Sequence, residues 1–209
     1  MKEFFGFNQA ELKVLGKLNT PHKIQDYLDK LPINFELDGD TCYSPREVLR
    51  RQTAHCMEGA LLAAAALWYH GRRPMLLDLV TTSKDDDHVV ALFEQDGFWG
   101  AISKTNHNVL RWRDPVYTSV HELAMSYFHE YFLDDGKKTL RTYSAPFDLR
   151  KIKDTSWLVS HKPLWHINNA LADSLHYEIL KPSQAKTLRT ASQIEITAGK
   201  LTEWNRPKI

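Results

Sequence analysis

The stretch that most restricts the fold is CMEGALLAAAALWYHG, residues 56–71. It is apolar nearly all round, carries four consecutive alanines at 63–66, and ends at Gly71, a residue suited to the left-handed cap of a helix. The pattern predicts a helix buried inside a domain, with small side chains that let a β-sheet approach closely. With 209 residues and 43% hydrophobic content the chain has material for one substantial core, so residues 1–209 are expected to form a single domain. No repeat or low-complexity linker interrupts it, only short loops rich in Pro, Gly and Asp.

The front of this helix is polar and begins with a cysteine. Thr53 is the natural N-cap in RRQTAHC, which puts Cys56 in the first turn. There the backbone N–H groups lack intrahelical partners and the macrodipole favours negative charge, so a thiolate is stabilised. An ordinary Cys titrates near pH ~8.5, and a helix N-terminus with a nearby cation lowers that by one to several units. A small buried residue would occupy the same position, so a basic partner has to be found before Cys56 is read as a nucleophile.

Composition removes several classes of function. Lys and Arg number 27 against 26 Asp and Glu, and a net charge of +1 offers no broad field for nucleic acid. The longest apolar run, Gly59 to Tyr69, is short of the roughly 20 residues that cross a bilayer. MKEFFGFNQAELKVLGKL has acidic residues among its apolar ones and no small-residue cleavage site, so it does not read as a secretory signal, and a cytoplasmic location is expected. The two cysteines, Cys42 and Cys56, form no disulfide framework or metal-finger spacing; Cys42 is expected to be a free thiol without a catalytic partner.

The partner for Cys56 lies downstream. Before it, TPHKIQDYLDKLP predicts a helix capped by Thr20 and SPREVLRRQ a second one capped by Ser44, each with Pro in its first turn. After the buried helix, Met75 to Thr81 reads as a buried strand and TSKDDD as a polar turn. HVVALF and FWGAIS then flank EQDG, a hairpin signal. A turn centred on Gln95 and Asp96 sets Ser103 opposite His88. One centred on Asp96 and Gly97 sets Thr105 opposite and leaves Ser103 diagonal on the same face. Either register places a hydroxyl beside the imidazole.

A Cys at the start of a buried helix, a strand opening with His, the hairpin HVVALFEQDGFW and a polar residue on the return strand together resemble the transglutaminase-like superfamily, related in fold to papain-like cysteine peptidases. The likeness covers about residues 49–107. It implies an α+β fold with an antiparallel sheet packed against the helix that carries Cys56 at its N-terminus. It further implies that Cys56 is the nucleophile and His88 the general base, with Gly97 and Trp99 matching the hairpin's G-x-W. The superfamily usually has Asp where this chain has Ser103, so the group that orients the imidazole is uncharged here. Asn106 is the fallback orienter, ranked lower because strand parity puts it on the other face.

The expected chemistry is attack of the Cys56 thiolate on an amide or ester carbonyl of a peptide or protein. The Cys56 backbone N–H, and at second remove Gln52, would be oxyanion donors. No metal and no cofactor is required. His55 looks like a weak base, because its side chain should leave the helix about 100° from that of Cys56. The KDDDH run reads as a solvated turn, and His121 and His129 are too far apart along a helix for a zinc pair. The C-terminal third is read as a helix from about Leu164 to Leu175, a strand after it, and a half-buried strand in SQIEITAG. Trp157, Trp165 and Trp204 there suit aromatic packing, or else a groove or dimer contact. Two rivals remain: a non-catalytic peptide- or protein-binding module on the same scaffold, and, more weakly, a metal-assisted hydrolase using His88 and the Asp run.

Overall fold

In the computed structural model, which describes residues 3–207, one antiparallel sheet organises the chain. Its strands are β1 (Met75–Val80), β2 (His88–Gln95), β3 (Phe98–Ile102), β4 (Arg113–Tyr117), β5 (Thr142–Ser144), β6 (Phe147–Asp148) and β7 (His176–Glu178). They run in the order β4-β3-β2-β1-β5-β7, with β6 also paired to β1. The helices are α1 (Gln9–Lys17), α2 (Pro21–Lys30), α3 (Pro45–Arg51), α4 (Cys56–Tyr69), α5 (Val120–Tyr127), α6 (Trp165–Ala172), α7 (Pro182–Ala185) and α8 (Gln193–Gly199). The fold class is α+β.

Strand β1 is buried from Met75 to Leu79 and apolar there except for Asp78, because both sheet faces are covered. Met75, Leu77 and Leu79 join Leu123, Ala124 and Tyr127 of α5 in one cluster, while Leu76 turns to the other face and packs in the cluster built on α4. The alternation along β2 is the same, with Val90 and Leu92 toward α5 and Val89, Ala91 and Phe93 toward α4. Helix α4 is buried as its sequence predicts: Ala63 to Ala66 have no exposed surface. Leu61 and Leu62 are equally buried, and full burial of each contributes about 1.5–3 kcal/mol.

Two glycines fix the approach of the hairpin to α4. Asp96 and Gly97 both have positive φ, 53° and 82°, the conformation of a tight two-residue turn whose twist suits the flanking strands. The register sets Ala91 opposite Ile102 and Gln95 opposite Phe98, so the turn is centred on Asp96–Gly97 and Ser103 is the diagonal neighbour of His88. Just beyond β3 the chain crosses α4 at Gly59, where a Cβ would stand 2.5 Å from that of Lys104. Only glycine admits that crossing.

The C-terminal third departs from its sequence reading in one element. SQIEITAG is not a strand; Gln193–Gly199 forms α8, because Glu195 accepts from the backbone N (2.6 Å) and hydroxyl (2.7 Å) of Ser192 and caps a helix start. The alternation of Ile194 and Ile196 was outweighed by that cap. The helix expected over Leu164 to Leu175 is α6, and the strand after it is β7. Trp157 is a core residue, 1% exposed, whereas Trp165 is 41% exposed. After α8 the chain returns to the hairpin, pairing Thr202 with His107. Among the described residues no helix is long and apolar enough to cross a membrane.

Candidate active site

The thiol is placed by an extended segment rather than by a standard cap. Gln52 ends α3 in the left-handed region (φ 55°), and Ala54 then pairs with Ile33, its carbonyl accepting from Asn34 N at 3.1 Å. Thr53 is not the N-cap: its hydroxyl donates to Pro32 O at 3.0 Å, and the N-cap position falls to His55 (φ −94°, ψ −172°). Cys56 is therefore the first residue of α4, half-buried.

This shift overturns the geometric objection to His55. A residue in extended conformation does not radiate from the helix axis at the helical angle, so its ring folds over the first turn. His55 Nδ1 lies 4.0 Å from Cys56 Sγ. Its Nε2 faces acceptors alone: Thr41 O at 3.0 Å, Glu58 Oε1 at 3.3 Å and Glu36 Oε1 at 3.7 Å. Glu58, in the first turn of α4, has no exposed surface. It accepts from His55 N (3.0 Å), Tyr43 N (2.9 Å), Thr41 Oγ1 (2.8 Å) and Asn34 Nδ2 (3.1 Å). Burial works against its charge, but His55 and these backbone donors outweigh burial and hold the carboxyl below its usual range.

The second imidazole comes from the hairpin. His88, the first residue of β2, is 6% exposed and its Nε2 stands 2.8 Å from Ser103 Oγ. The Ser103 hydroxyl donates its hydrogen to Leu110 O, so toward His88 it accepts, and His88 Nε2 carries the proton. That leaves Nδ1 as the ring atom available to take or give a proton. Ser103 is itself held by Gln25 of α2, which accepts from Ser103 N at 2.9 Å and donates to Ser103 O at 2.8 Å.

Both rings act on the sulfur. Burial alone would raise the Cys56 pKa, but hydrogen bonding and charge from His55 and His88 bring it well below the ordinary thiol value. On His55 burial opposes the cation, yet the Cys56 and Glu58 interactions push its pKa up to about 11. Cys42 shows the opposite outcome. Burial first, then the Glu58 charge, push its thiol up to about 12, and both cysteines are free.

Cys56, His55 and His88 open into a cleft of about 730 Å³ that also includes Asn106, Tyr131 and Arg206. Asn106 does not orient an imidazole: its amide donates to Trp204 O (3.0 Å) and accepts from Trp204 N (2.8 Å), tying the C-terminal stretch across the cleft. Gln52 does not reach the cleft either, since its amide donates to Tyr27 Oη (2.9 Å) and Leu49 O (2.6 Å). Tyr131 is 3% exposed and its hydroxyl has no partner among the described residues. The Asp run folds on itself as a turn, Asp87 accepting from Thr81 N (2.7 Å) and Asp85 from the Thr139 hydroxyl (2.5 Å). His121 sits in α5 and His129 in the 3-10 turn after it, both outside the cleft.

Sequence reasoning missed His55, Glu58, Gln25 and Tyr131. One signal was available: Glu58 is the only charged residue in the 14-residue α4, and a carboxylate inside an apolar helix needs partners. Gln25 and Tyr131 carried none, since their roles depend on segments distant in sequence. No protein-family model matches the chain, and no curated protein matches its sequence.

Proposed function

We propose that the chain is a thiol-dependent hydrolase or acyltransferase of transglutaminase-like type, acting on an amide or ester of a peptide or protein. The observation that carries this reading is a helix-start cysteine with His55 Nδ1 4.0 Å from its sulfur, opening together with His88 into one cleft. The Cys56 thiolate attacks the carbonyl carbon, and the electron pair of the C=O bond moves onto oxygen. His88 Nδ1 takes up a proton from solvent and gives it to the departing amine or alcohol as that oxyanion collapses, leaving a thioester on Cys56. His88 Nδ1 then removes a proton from the incoming water or amine, and collapse of the second oxyanion returns the thiolate.

The oxyanion needs donors. The Cys56 N–H, at the first position of α4, is one. Tyr131, buried and unpartnered in the same cleft, supplies a second in place of Gln52. Replacing Tyr131 with Phe should leave Cys56 alkylation unchanged but reduce release of nitrophenol from an activated nitrophenyl ester by about 10²-fold.

A second reading, a peptide-binding module without turnover, is favoured by Ser103, which gives His88 no charge. Alkylation with iodoacetamide at pH 7 separates the two. The enzyme reading requires rapid modification of Cys56 that slows when His88 is replaced; modification at the rate of a free thiol, unaffected by His88, leaves only binding.

A further inference from the structure

We infer that His55 is the second catalytic imidazole of Cys56, a fixed cation anchored by Glu58 that holds the sulfur as a thiolate, leaving His88 free to move protons. This assignment rests on the proposed thiol chemistry and divides it between two rings that differ in what stands behind them.

Behind His55 there are only acceptors. With Thr41 O, Glu58 Oε1 and Glu36 Oε1 all around Nε2, that nitrogen keeps its hydrogen, and Nδ1 is directed at Sγ. A single proton shared between Nδ1 and the sulfur then gives either a thiol beside a neutral ring or a thiolate beside a cation. Glu58 decides between these forms: it is a fully buried carboxylate beside the ring, and only the cationic ring gives that charge a counter-ion. Behind His88 stands a hydroxyl whose hydrogen is already donated to Leu110 O, so Ser103 gives that ring no counter-charge. A ring held as a permanent cation cannot shuttle protons, and one without a fixed counter-ion behind it can.

The remaining ionisable groups near the pair strengthen the requirement. Glu36, Glu58 and Cys42 lie on the His55 side. From the sheet and its loops come Asp78, Asp85, Asp86, Asp87 and Tyr131, besides His88. The cations of the cleft, Lys104, Lys200 and Arg206, make no hydrogen bond to Cys56, Lys104 Nζ donating to Leu31 O and Lys200 pairing with Asp134, so the His55 cation is what offsets the anions beside the sulfur. The direction of the His55 and Cys56 pKa shifts agrees with this. Glu58 acts through His55 and is a positioning residue.

The test uses the whole chain. Two-bond ¹H–¹⁵N correlation of histidine side chains in the wild-type protein should show His55 protonated on both nitrogens at pH 8. Iodoacetamide alkylation of Cys56, followed by peptide mass spectrometry across pH, should give a thiolate midpoint below pH ~7. His55→Asn should raise that midpoint by at least one pH unit, a tenfold loss of reactive sulfur at any pH well below the wild-type midpoint. Glu58→Gln should shift it the same way by less, and His88→Asn by less than His55→Asn. A singly protonated His55 at pH 8 overturns the assignment even if the variants do not fold. So does a His55→Asn titration matching wild type while His88→Asn takes the whole shift; in that case the thiol chemistry stands and only the division of labour fails. A wild-type midpoint near pH 8.5 overturns both.

Discussion

The two cysteines of this chain have the same side chain and neighbour the same carboxylate, yet their thiols go in opposite directions. Cys42, buried with no cation beside it, is pushed up to about 12; Cys56, lowered by His55 and His88 against the effect of burial, falls well below the ordinary value. Burial raises both. What separates them is whether a proton acceptor is held against the sulfur, which here depends on the backbone entering α4 in an extended conformation.

The sharpest break of that contrast is selective labelling. In the native protein at pH 7, iodoacetamide should modify Cys56 more than about a thousandfold faster than Cys42, because Cys42 is both buried and almost wholly protonated. Mass spectrometry of the two peptides reads the ratio; comparable rates would dissolve the comparison.

Removing the shared carboxylate should make the two thiols converge. Glu58→Ala leaves Thr41, Asn34 and the N–H groups of His55 and Tyr43 without their acceptor, and His55 without its counter-ion. We expect a loss of about 3–5 kcal/mol in urea unfolding. In whatever folds, the Cys42 pKa should fall and that of Cys56 rise.

Stability against pH tests the same pair without mutation. His55 is raised from an ordinary value of about 6.5, so its contribution is fully present below that pH and is lost as pH rises toward about 11. Cys56 is lowered from about 9, so its contribution is present above that pH and is lost as pH falls. Just below pH 9 the two slopes, each about 1.4 kcal/mol per pH unit and opposite in sign, cancel, and between 9 and about 11 the His55 decline stands alone. His55→Asn should remove the decline between 9 and 11; its persistence in that variant would assign it to another group.

The smallest effect belongs to Ser103. Ser103→Ala removes an uncharged orienter and should slow Cys56 alkylation only a few-fold, less than His88→Ala, whereas Ser103→Asp should speed it if the hairpin tolerates the charge. Asn106→Ala should leave the alkylation curve unchanged, since that amide binds Trp204. The reverse result would exchange their roles.

The buried helix, the Pro-started helices capped by Thr20 and Ser44, strand β1 and the Asp-Gly hairpin were legible in the sequence, because each is dictated by local periodicity, caps and turn chemistry. Cys56 and His88 could be singled out for the same reason, as each opens a recognisable element. SQIEITAG misled because alternation over so few residues also fits one face of a helix, and the Ser192–Glu195 cap settled it.

Tertiary structure alone decided what surrounds the sulfur. The Ala54–Ile33 bridge moved the helix start by bringing a distant segment alongside, and that turned His55 onto Cys56. Gln25 reaches Ser103 across 78 positions, and Trp204 reaches Asn106 across 98. A sequence specifies which groups can ionise or hydrogen-bond. Their protonation follows from distances and burial that exist only after segments far apart in the chain have packed together.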